Sequence, residues 1–267
     1  MANQQKVAVI GAGVMGEALI AALIRSGMAA ANIAIVEKRQ ERCQELINRY
    51  GITQADLGAA ASTSDVILLV VKPQDMGALL GELKAHINQS ALVMSFAAGK
   101  TISFIAQHLG DSQPIVRIMP NTPTSVGLGA AGYSLGKNVS QEQKSFVATF
   151  LAAAGVAIEV DESLQDAITA TSGSGPAYFF AFVEAMVDGA VALGLNRDDA
   201  TALTIQTIVG AAELLKSSGD SPTTLREKVT SPNGTTAAAL ASFSHDQLSD
   251  VVARAMKAAQ LRSQELA

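Results

Sequence analysis

The sequence predicts an α/β domain built on a mostly parallel sheet, followed by an all-α domain, on three observations. Short β-rich runs alternate with helical segments over the first 160 residues, the pattern of βαβ units. A glycine-rich run, Gly11-Ala12-Gly13-Val14-Met15-Gly16, stands between the first strand and the first helix. Beyond Asp161 the β-branched runs stop, and Ala, Leu, Gln and Glu recur at helical spacing. The predicted domains are residues 1–160 and 161–267.

Taken in order, Val7 to Ile10 is the first strand and Val14 to Ser26 the first helix, stopped by Gly27. Ile33 to Val36 is the second strand, and Gln40 to Tyr50 a helix that ends at Gly51. Val66 to Val71 and Leu92 to Phe96 are continuous apolar runs, as strands covered on both faces require. They end in Lys72-Pro73 and Ala97-Ala98-Gly99. Ile115 to Met119 repeats the design and stops at Pro120-Asn121-Thr122-Pro123. Ala130 to Ser134 and Val156 to Val160 extend the sheet, which closes near residue 160. Predicted helices then run over 163–171, 176–195, 198–216, 235–243 and 246–265. Pro176 suits a first helical turn, and Asn196 or Asp198 can cap the helix that follows. The helix after Pro176 is apolar on nearly every face, more than one domain's core can cover, which predicts a subunit interface.

A chain of 267 residues with 49% hydrophobic content can bury a sizeable core. Its net charge is −5, with Lys and Arg scattered, so the basic footprint of a nucleic-acid binder is missing and a small-molecule partner is expected. The stretch Met1 to Lys6 has no apolar leader, which makes the cytoplasm the expected compartment. The most apolar segment, Ala177 to Leu195, carries Glu184 and Asp188, each costly in a bilayer, so no membrane partner is expected. The single cysteine, Cys43, rules out an internal disulfide. With His86, His108 and His245 it shows no metal-ligand spacing, so no metal is expected. Cys43 reads as a small packed residue rather than a nucleophile, and the three histidines as solvated.

The glycine-rich run fits the dinucleotide-binding fingerprint of a Rossmann-type domain. Gly11 permits a tight turn, Gly13 lets a pyrophosphate approach the backbone, and Gly16 lets helix and strand pack, while free N–H groups at the helix start meet the negative charge. A plain glycine-rich turn is the bland alternative, and strand, helix and spacing all speak against it. Twenty-one residues past Gly16 stands Glu37-Lys38-Arg39, with a mixed signal. Glu37 suits the ribose 2′-hydroxyl of NAD, whereas Lys38 and Arg39 suit the 2′-phosphate of NADP, unless both are ordinary solvated charge. The strand ends at Val70-Val71-Lys72-Pro73, Phe96-Ala97-Ala98 and Met119-Pro120-Asn121 offer rigid apolar walls and backbone amides to a flat ring.

In the second domain the distinctive segment is Ser231-Pro232-Asn233-Gly234-Thr235-Thr236. Ser231 and Pro232 end one element, Asn233-Gly234 turns the chain, and Thr235-Thr236 bring two hydroxyls to a new helix N-terminus, where unpaired N–H groups suit a carboxylate. Simple threonine capping is the alternative. Ser172-Gly173-Ser174-Gly175-Pro176 lacks the strand that a nucleophile turn requires and reads as a flexible lead-in to the long helix.

These residues together resemble the pyrroline-5-carboxylate reductase family over essentially the full length. The resemblance rests on Ile10 to Gly16, Val71-Lys72-Pro73, Ala97-Ala98-Gly99, Met119 to Pro123, Ser172 to Tyr178 and, most specifically, Ser231 to Thr236. It implies NAD(P)H-dependent reduction of 1-pyrroline-5-carboxylate to L-proline, a Rossmann domain, and a helical domain that forms a dimer, often assembled further into a decamer. It places the dinucleotide, NADPH or NADH, at Ile10, Gly11, Ala12, Gly13, Val14, Met15, Lys38, Val70, Val71, Lys72, Pro73, Phe96, Ala97 and Ala98. Glu37, Arg39 and Asn121 join these from the reading of the residues. The substrate falls to Ser231, Thr235 and Thr236, with Gly234 in the same turn, and Thr236 is the expected catalytic residue. Two departures stand out: Asn233, where the family often has glycine, and Glu37, where NADPH-preferring members often carry a small or hydroxyl residue.

The missing His–Asp pair agrees with such a reaction, because a protonated cyclic imine needs alignment with a hydride donor more than a strong base. A β-hydroxyacid dehydrogenase shares the layout but needs a lysine early in the second domain, and none lies between Asp161 and Leu195. A non-catalytic dinucleotide sensor is the alternative from another class.

Overall fold

The computed structural model describes residues 5–266. Met1 to Gln4, part of the stretch read for a leader, and Ala267 lie outside the described residues. Strands are β1 (Val7–Ile10), β2 (Ile33–Val36), β3 (Thr53–Gln54), β4 (Val66–Leu69), β5 (Leu92–Ser95), β6 (Ile115–Met119), β7 (Gly129–Leu135) and β8 (Gly155–Glu159). Helices are α1 (Val14–Arg25), α2 (Gln40–Tyr50), α3 (Leu57–Thr63), α4 (Met76–Leu83), α5 (Ile102–Leu109), α6 (Gln141–Ala154), α7 (Gln165–Ile168), α8 (Gly175–Ala192), α9 (Arg197–Ser217), α10 (Pro222–Lys228), α11 (Thr235–His245) and α12 (Leu248–Glu265).

The sheet order is β3-β2-β1-β4-β5-β6-β7-β8. It is parallel except where β7 runs antiparallel to β6, pairing Ile118 with Tyr133. Parallel strands need a crossover of a dozen or more residues. Only a short 3₁₀ turn, Thr122–Val126, joins β6 to β7, so the chain returns the other way. The order reverses at β1, which pairs with β2 on one side and β4 on the other. In open α/β sheets that reversal is where ligands bind, beyond the carboxyl ends of the strands.

Side chains alternate across the sheet as period two requires. Val66, Leu68, Leu92 and Met94 enter one apolar layer with α1, α2 and α6, while Ile67, Leu69 and Val93 enter the other with α4 and α5. The two-residue β3 and helices α3 to α6 and α10 go beyond the elements read from the sequence. β3, α4, α5 and α10 are short and α3 is a run of small residues, which leaves little periodic signal; α6, at 14 residues, is a full-length helix that the sequence reading passes over.

The chain divides into two compact units, Met1–Pro176 with Ala258–Ala267, and Ala177–Lys257. The sheet ends at Glu159, but the segment after it stays with the first unit through polar contacts. Buried Gln165 donates to Ser134 Oγ at 2.9 Å, and Arg117 of β6, also buried, lies 3.4 Å from Glu162 and 3.7 Å from Asp166. Asp166 in turn accepts from Ser263 Oγ of α12 at 2.7 Å. The helix expected over 163–171 is therefore composite: a 3₁₀ turn at Glu162–Leu164, α7, then a π turn at Thr169–Gly173. That π turn also corrects the flexible lead-in expected at Ser172 to Pro176, because its winding continues through Ser174 to α8. Gly173 has a packing reason, since a Cβ there would sit 2.5 Å from the Met119 side chain.

The second unit has almost no interior. Among its described residues only Val187, Ala200 and Thr204 are buried, while Phe179, Phe180, Leu203, Val209 and Leu214 are each more than half exposed. An apolar surface of that extent needs a cover, and the lone chain provides none. No helix among the described residues is long and apolar enough to cross a membrane.

Candidate functional site

The glycine fingerprint lies where the sheet order reverses, and its three glycines do three different things. Gly11 has φ +93°, and a Cβ on it would lie 2.4 Å from the Val70 carbonyl oxygen at the end of β4. A Cβ on Gly16, inside the first turn of α1, would lie 2.2 Å from the Gly11 carbonyl oxygen. These two are glycine so that the loop can close on itself. At Gly13, by contrast, a Cβ would meet no atom within 4 Å. The space above Gly13 is a cradle that a side chain would fill, and the protein itself does not use it. Gly13 caps α1 with no side-chain hydrogen bond, and the first helical bond runs from Glu17 N–H to Gly13 O at 2.9 Å. The N–H groups of Val14, Met15 and Gly16 precede that bond, at the positive end of the helix. Cradle and donors together fit a dinucleotide pyrophosphate.

At the end of β2, Glu37 is already engaged. Its carboxylate accepts from Ala12 N–H at 3.1 Å, from Arg39 N–H at 3.0 Å and from Arg39 Nε at 3.0 Å. Burial pushes its pKa up, but the bonds from Arg39 and Ala12 outweigh it and hold the group below the ordinary carboxylate value. Glu37 is thus an anion at neutral pH, and Arg39 is drawn onto it. Beside them Cys43 is buried, and burial followed by the Glu37 charge pushes its thiol up, so it is no nucleophile.

The remaining walls are partly spent on structure. Phe96 turns its ring into the core against Phe150, edge to face at 6.5 Å; Phe96 and Ala97 are buried and Ala98 is half-buried. Asn121 donates to Ser172 O at 3.0 Å and accepts from Ala130 N–H at 2.9 Å, so its side-chain amide is a tie between segments. Lys72 is exposed, and Pro73 opens a 3₁₀ turn that fixes the β4 end. His108, expected to be solvated, is partly exposed, with Nδ1 2.9 Å from the Phe104 carbonyl oxygen and its ring against Phe104.

The turn before α11 has the expected shape. Asn233 has φ +58°, a left-handed conformation that asparagine tolerates, and Gly234 N–H donates to Ser231 O at 3.0 Å. A Cβ on Gly234 would lie 2.6 Å from Ser231 Oγ. The helix is capped by Gly234 with no side-chain bond, which sets aside threonine capping. Its first bond is Ala238 N–H to Gly234 O at 3.1 Å, after the N–H groups of Thr235, Thr236 and Ala237. Ser231 and Thr235 are exposed and Thr236 is half-buried. No group of three or more His, Cys, Asp or Glu with metal-binding placement occurs among the described residues.

A doubly wound sheet with a glycine cradle at its reversal point, followed by a helical unit, defines a dinucleotide-binding protein of the two-unit kind. A family model described as pyrroline-5-carboxylate reductase dimerisation matches residues 162–266, and one described as NADP oxidoreductase, coenzyme F420-dependent, matches 6–99. The pyrroline-5-carboxylate reductase of Pseudomonas aeruginosa is 41% identical over 264 residues, covering 98% of this chain and 97% of the relative. The solved pyrroline-5-carboxylate reductase of Coxiella burnetii is 35% identical with a TM-score of 0.92, covering 99% of each chain. The Plasmodium falciparum pyrroline carboxylate reductase, solved with NADP bound, is 30% identical with a TM-score of 0.89 over 99% of this chain and 98% of that one. The chain belongs to the pyrroline-5-carboxylate reductase family. It reduces 1-pyrroline-5-carboxylate to L-proline with NAD(P)H, and its helical unit is a dimerisation domain.

The Glu37–Arg39 pair makes cofactor preference testable. Replacing Lys38 and Arg39 together with alanine is expected to raise the KM for NADPH about tenfold and leave that for NADH within about twofold, because only NADPH carries a phosphate for these cations to meet. Glu37→Ser is expected to move preference toward NADPH by removing a repelling carboxylate. Equal losses for both cofactors in the double variant would show that these cations are solvated surface.

Proposed function

We propose that the carboxylate of 1-pyrroline-5-carboxylate is held at the start of α11 and the dinucleotide at the Gly11–Gly16 cradle. The observation that carries the reading is the bare Gly234 cap. It leaves the N–H groups of Thr235, Thr236 and Ala237 ahead of the helix's own bonding, beside the hydroxyls of Ser231, Thr235 and Thr236. The helix dipole favours an anion there by about 0.3–1 kcal/mol at an exposed site, and the hydroxyls add direct bonds.

The residues then divide the work. Val14, Met15 and Gly16 offer N–H groups to the pyrophosphate, Glu37 to Arg39 face the adenosine ribose, and the backbones of Val70 to Pro73, Phe96 to Ala98 and Asn121 wall the nicotinamide. Held there, NAD(P)H would supply the hydride for the imine carbon. Thr236 Oγ accepts from the protonated ring nitrogen and orients the C=N bond, while Ser231 and Thr235 fix the carboxylate. With the nitrogen already protonated, no side chain has to act as an acid. Alignment supplies most of the acceleration.

The same reading covers a homodimer built on the second unit and grouped into a decamer. It places the enzyme in the cytoplasm, where the free Cys43 stays a thiol, with neither nucleic acid nor membrane as partner. Light scattering on the active protein checks the assembly, and a fully active monomer would sink it. For the site, Ser231→Ala is expected to raise the KM for 1-pyrroline-5-carboxylate about five- to tenfold with the KM for NADPH unchanged. An unchanged substrate KM in both Ser231→Ala and Thr235→Ala would move the carboxylate elsewhere.

A further inference from the structure

Arg42, on the first turn of α2, belongs to none of the groups assigned above, yet it reaches the centre of the glycine loop. Its side chain is only 14% exposed. Nε donates to the Ala12 carbonyl at 2.9 Å, Nη2 to Glu17 Oε2 at 2.5 Å and Nη1 to Glu45 Oε2 at 2.7 Å. Ala12 is the middle residue of Gly11-Ala12-Gly13, and its N–H is the one that donates to Glu37. Both polar groups of this buried residue are therefore held by charged side chains, the N–H from the end of β2 and the carbonyl from α2. Glu17, one residue past Gly16 on α1, also accepts from Tyr50 Oη at 3.0 Å and from Arg49 Nη1. The network thus joins the loop, the helix that follows it and α2.

Its charge state is steady at neutral pH. Burial pushes Glu17 up, but the bonds from Arg42 and Tyr50 outweigh it and hold the carboxyl below its ordinary value. Burial likewise opposes the charge on Arg42, and Glu45 and Glu17 more than restore it. Because the folded Glu17 pKa is the lower one, its contribution to stability is complete above the ordinary carboxylate range and is lost only as pH falls through the lowered value.

The loop needs such a clamp. One glycine on each side of Ala12 leaves its backbone intrinsically free, and a loop that must first be ordered binds its ligand more weakly by the cost of that ordering. We propose that Arg42 is a positioning residue for the dinucleotide: by gripping the Ala12 carbonyl and Glu17 at once, it presets the glycine loop in the shape that receives the pyrophosphate. The inference rests on the dinucleotide lying on this loop. Gly13→Val tests that placement separately, so an unresponsive Arg42 beside a responsive Gly13 overturns the clamp alone.

The experiment is direct binding of NADPH and of NADH to Arg42→Ala, by calorimetry, with steady-state kinetics on the same protein. Glu17 keeps Arg49 and Tyr50 as partners in this variant, so no bare carboxylate is left behind and the fold is expected to hold. Both dissociation constants are expected to rise by the same factor, about tenfold, with kcat within about twofold and the KM for 1-pyrroline-5-carboxylate unchanged. Arg42→Lys keeps a cation that can reach one partner but not both, and is expected to recover part of the loss. Glu17→Gln is expected to weaken both cofactors a few-fold, and to add little on top of Arg42→Ala. It also carries the test if Arg42→Ala fails to fold. Unchanged affinity in the folded variants overturns the proposal. So does a loss confined to NADPH, which would make Arg42 a direct phosphate ligand, and so does a loss of kcat with affinity intact.

Discussion

Gly13→Val is expected to lower dinucleotide affinity by about a hundredfold or more while the protein keeps its fold and its melting temperature to within a few degrees. The expectation comes from the emptiness above Gly13, where a Cβ would meet no protein atom within 4 Å and where φ is −67°, a value any L-residue adopts. Valine therefore costs the free protein little, but its branched side chain occupies the space that a pyrophosphate needs in order to reach the N–H groups of Val14, Met15 and Gly16. Several charge-assisted bonds are lost together, each worth about 1.5–3 kcal/mol. The neighbouring glycines behave in the opposite way. Gly11→Ala and Gly16→Ala push a methyl group to within 2.4 Å and 2.2 Å of backbone oxygens, so both damage the loop before any ligand arrives. Fluorescence titration with NADPH and a melting curve on the three variants separate the roles. Normal affinity in folded Gly13→Val would remove the dinucleotide from this loop.

The same contrast explains what could be read from the sequence. The fingerprint was legible because its glycines answer to local geometry: a turn with φ +93°, a close approach and an open cradle, all within six residues. The Asn233-Gly234 turn was legible for the same reason, since a left-handed asparagine before a bare helix cap is settled by its immediate neighbours. What the sequence hid depends on contacts between distant residues. Nothing near Asn121 says that its amide is spent on Ser172 and Ala130, and nothing near Phe96 says that its ring faces Phe150. The direction of β7, by contrast, follows from the connection before it, which is too short for a crossover, so this antiparallel pair was within reach of the sequence. Arg42 gave no local signal. Its two decisive partners, Glu17 and Ala12, lie 25 and 30 residues away, and an arginine among Gln40, Glu41 and Glu45 looks like solvated surface.

Thr236→Ala is expected to lower kcat by about ten- to a hundredfold and to leave the KM for 1-pyrroline-5-carboxylate and the affinity for proline within about threefold. A hydrogen bond from a charged group contributes about 1.5–3 kcal/mol, and 1.36 kcal/mol is a factor of ten in rate. The loss falls on turnover because the bond to the ring nitrogen keeps the imine carbon in line with the hydride donor, and a misaligned imine still binds but reacts slowly. Ser231, Thr235 and the amide N–H groups at the helix start still hold the carboxylate. Stability separates this role from a structural one. Gly234 caps α11 without a side-chain bond, so the Thr236 hydroxyl is not the cap, and alanine is the better helix former at an early helical position. The melting temperature of Thr236→Ala is therefore expected to stay level or rise slightly. Thr236→Ser keeps the hydroxyl and is expected to retain most of the turnover. Kinetics and melting curves on both variants decide between the readings. Full activity in Thr236→Ala would take Thr236 out of the reaction and leave Ser231 and Thr235 as the hydroxyls that meet the substrate, whereas a fall in melting temperature that tracks the fall in kcat would return Thr236 to a structural role.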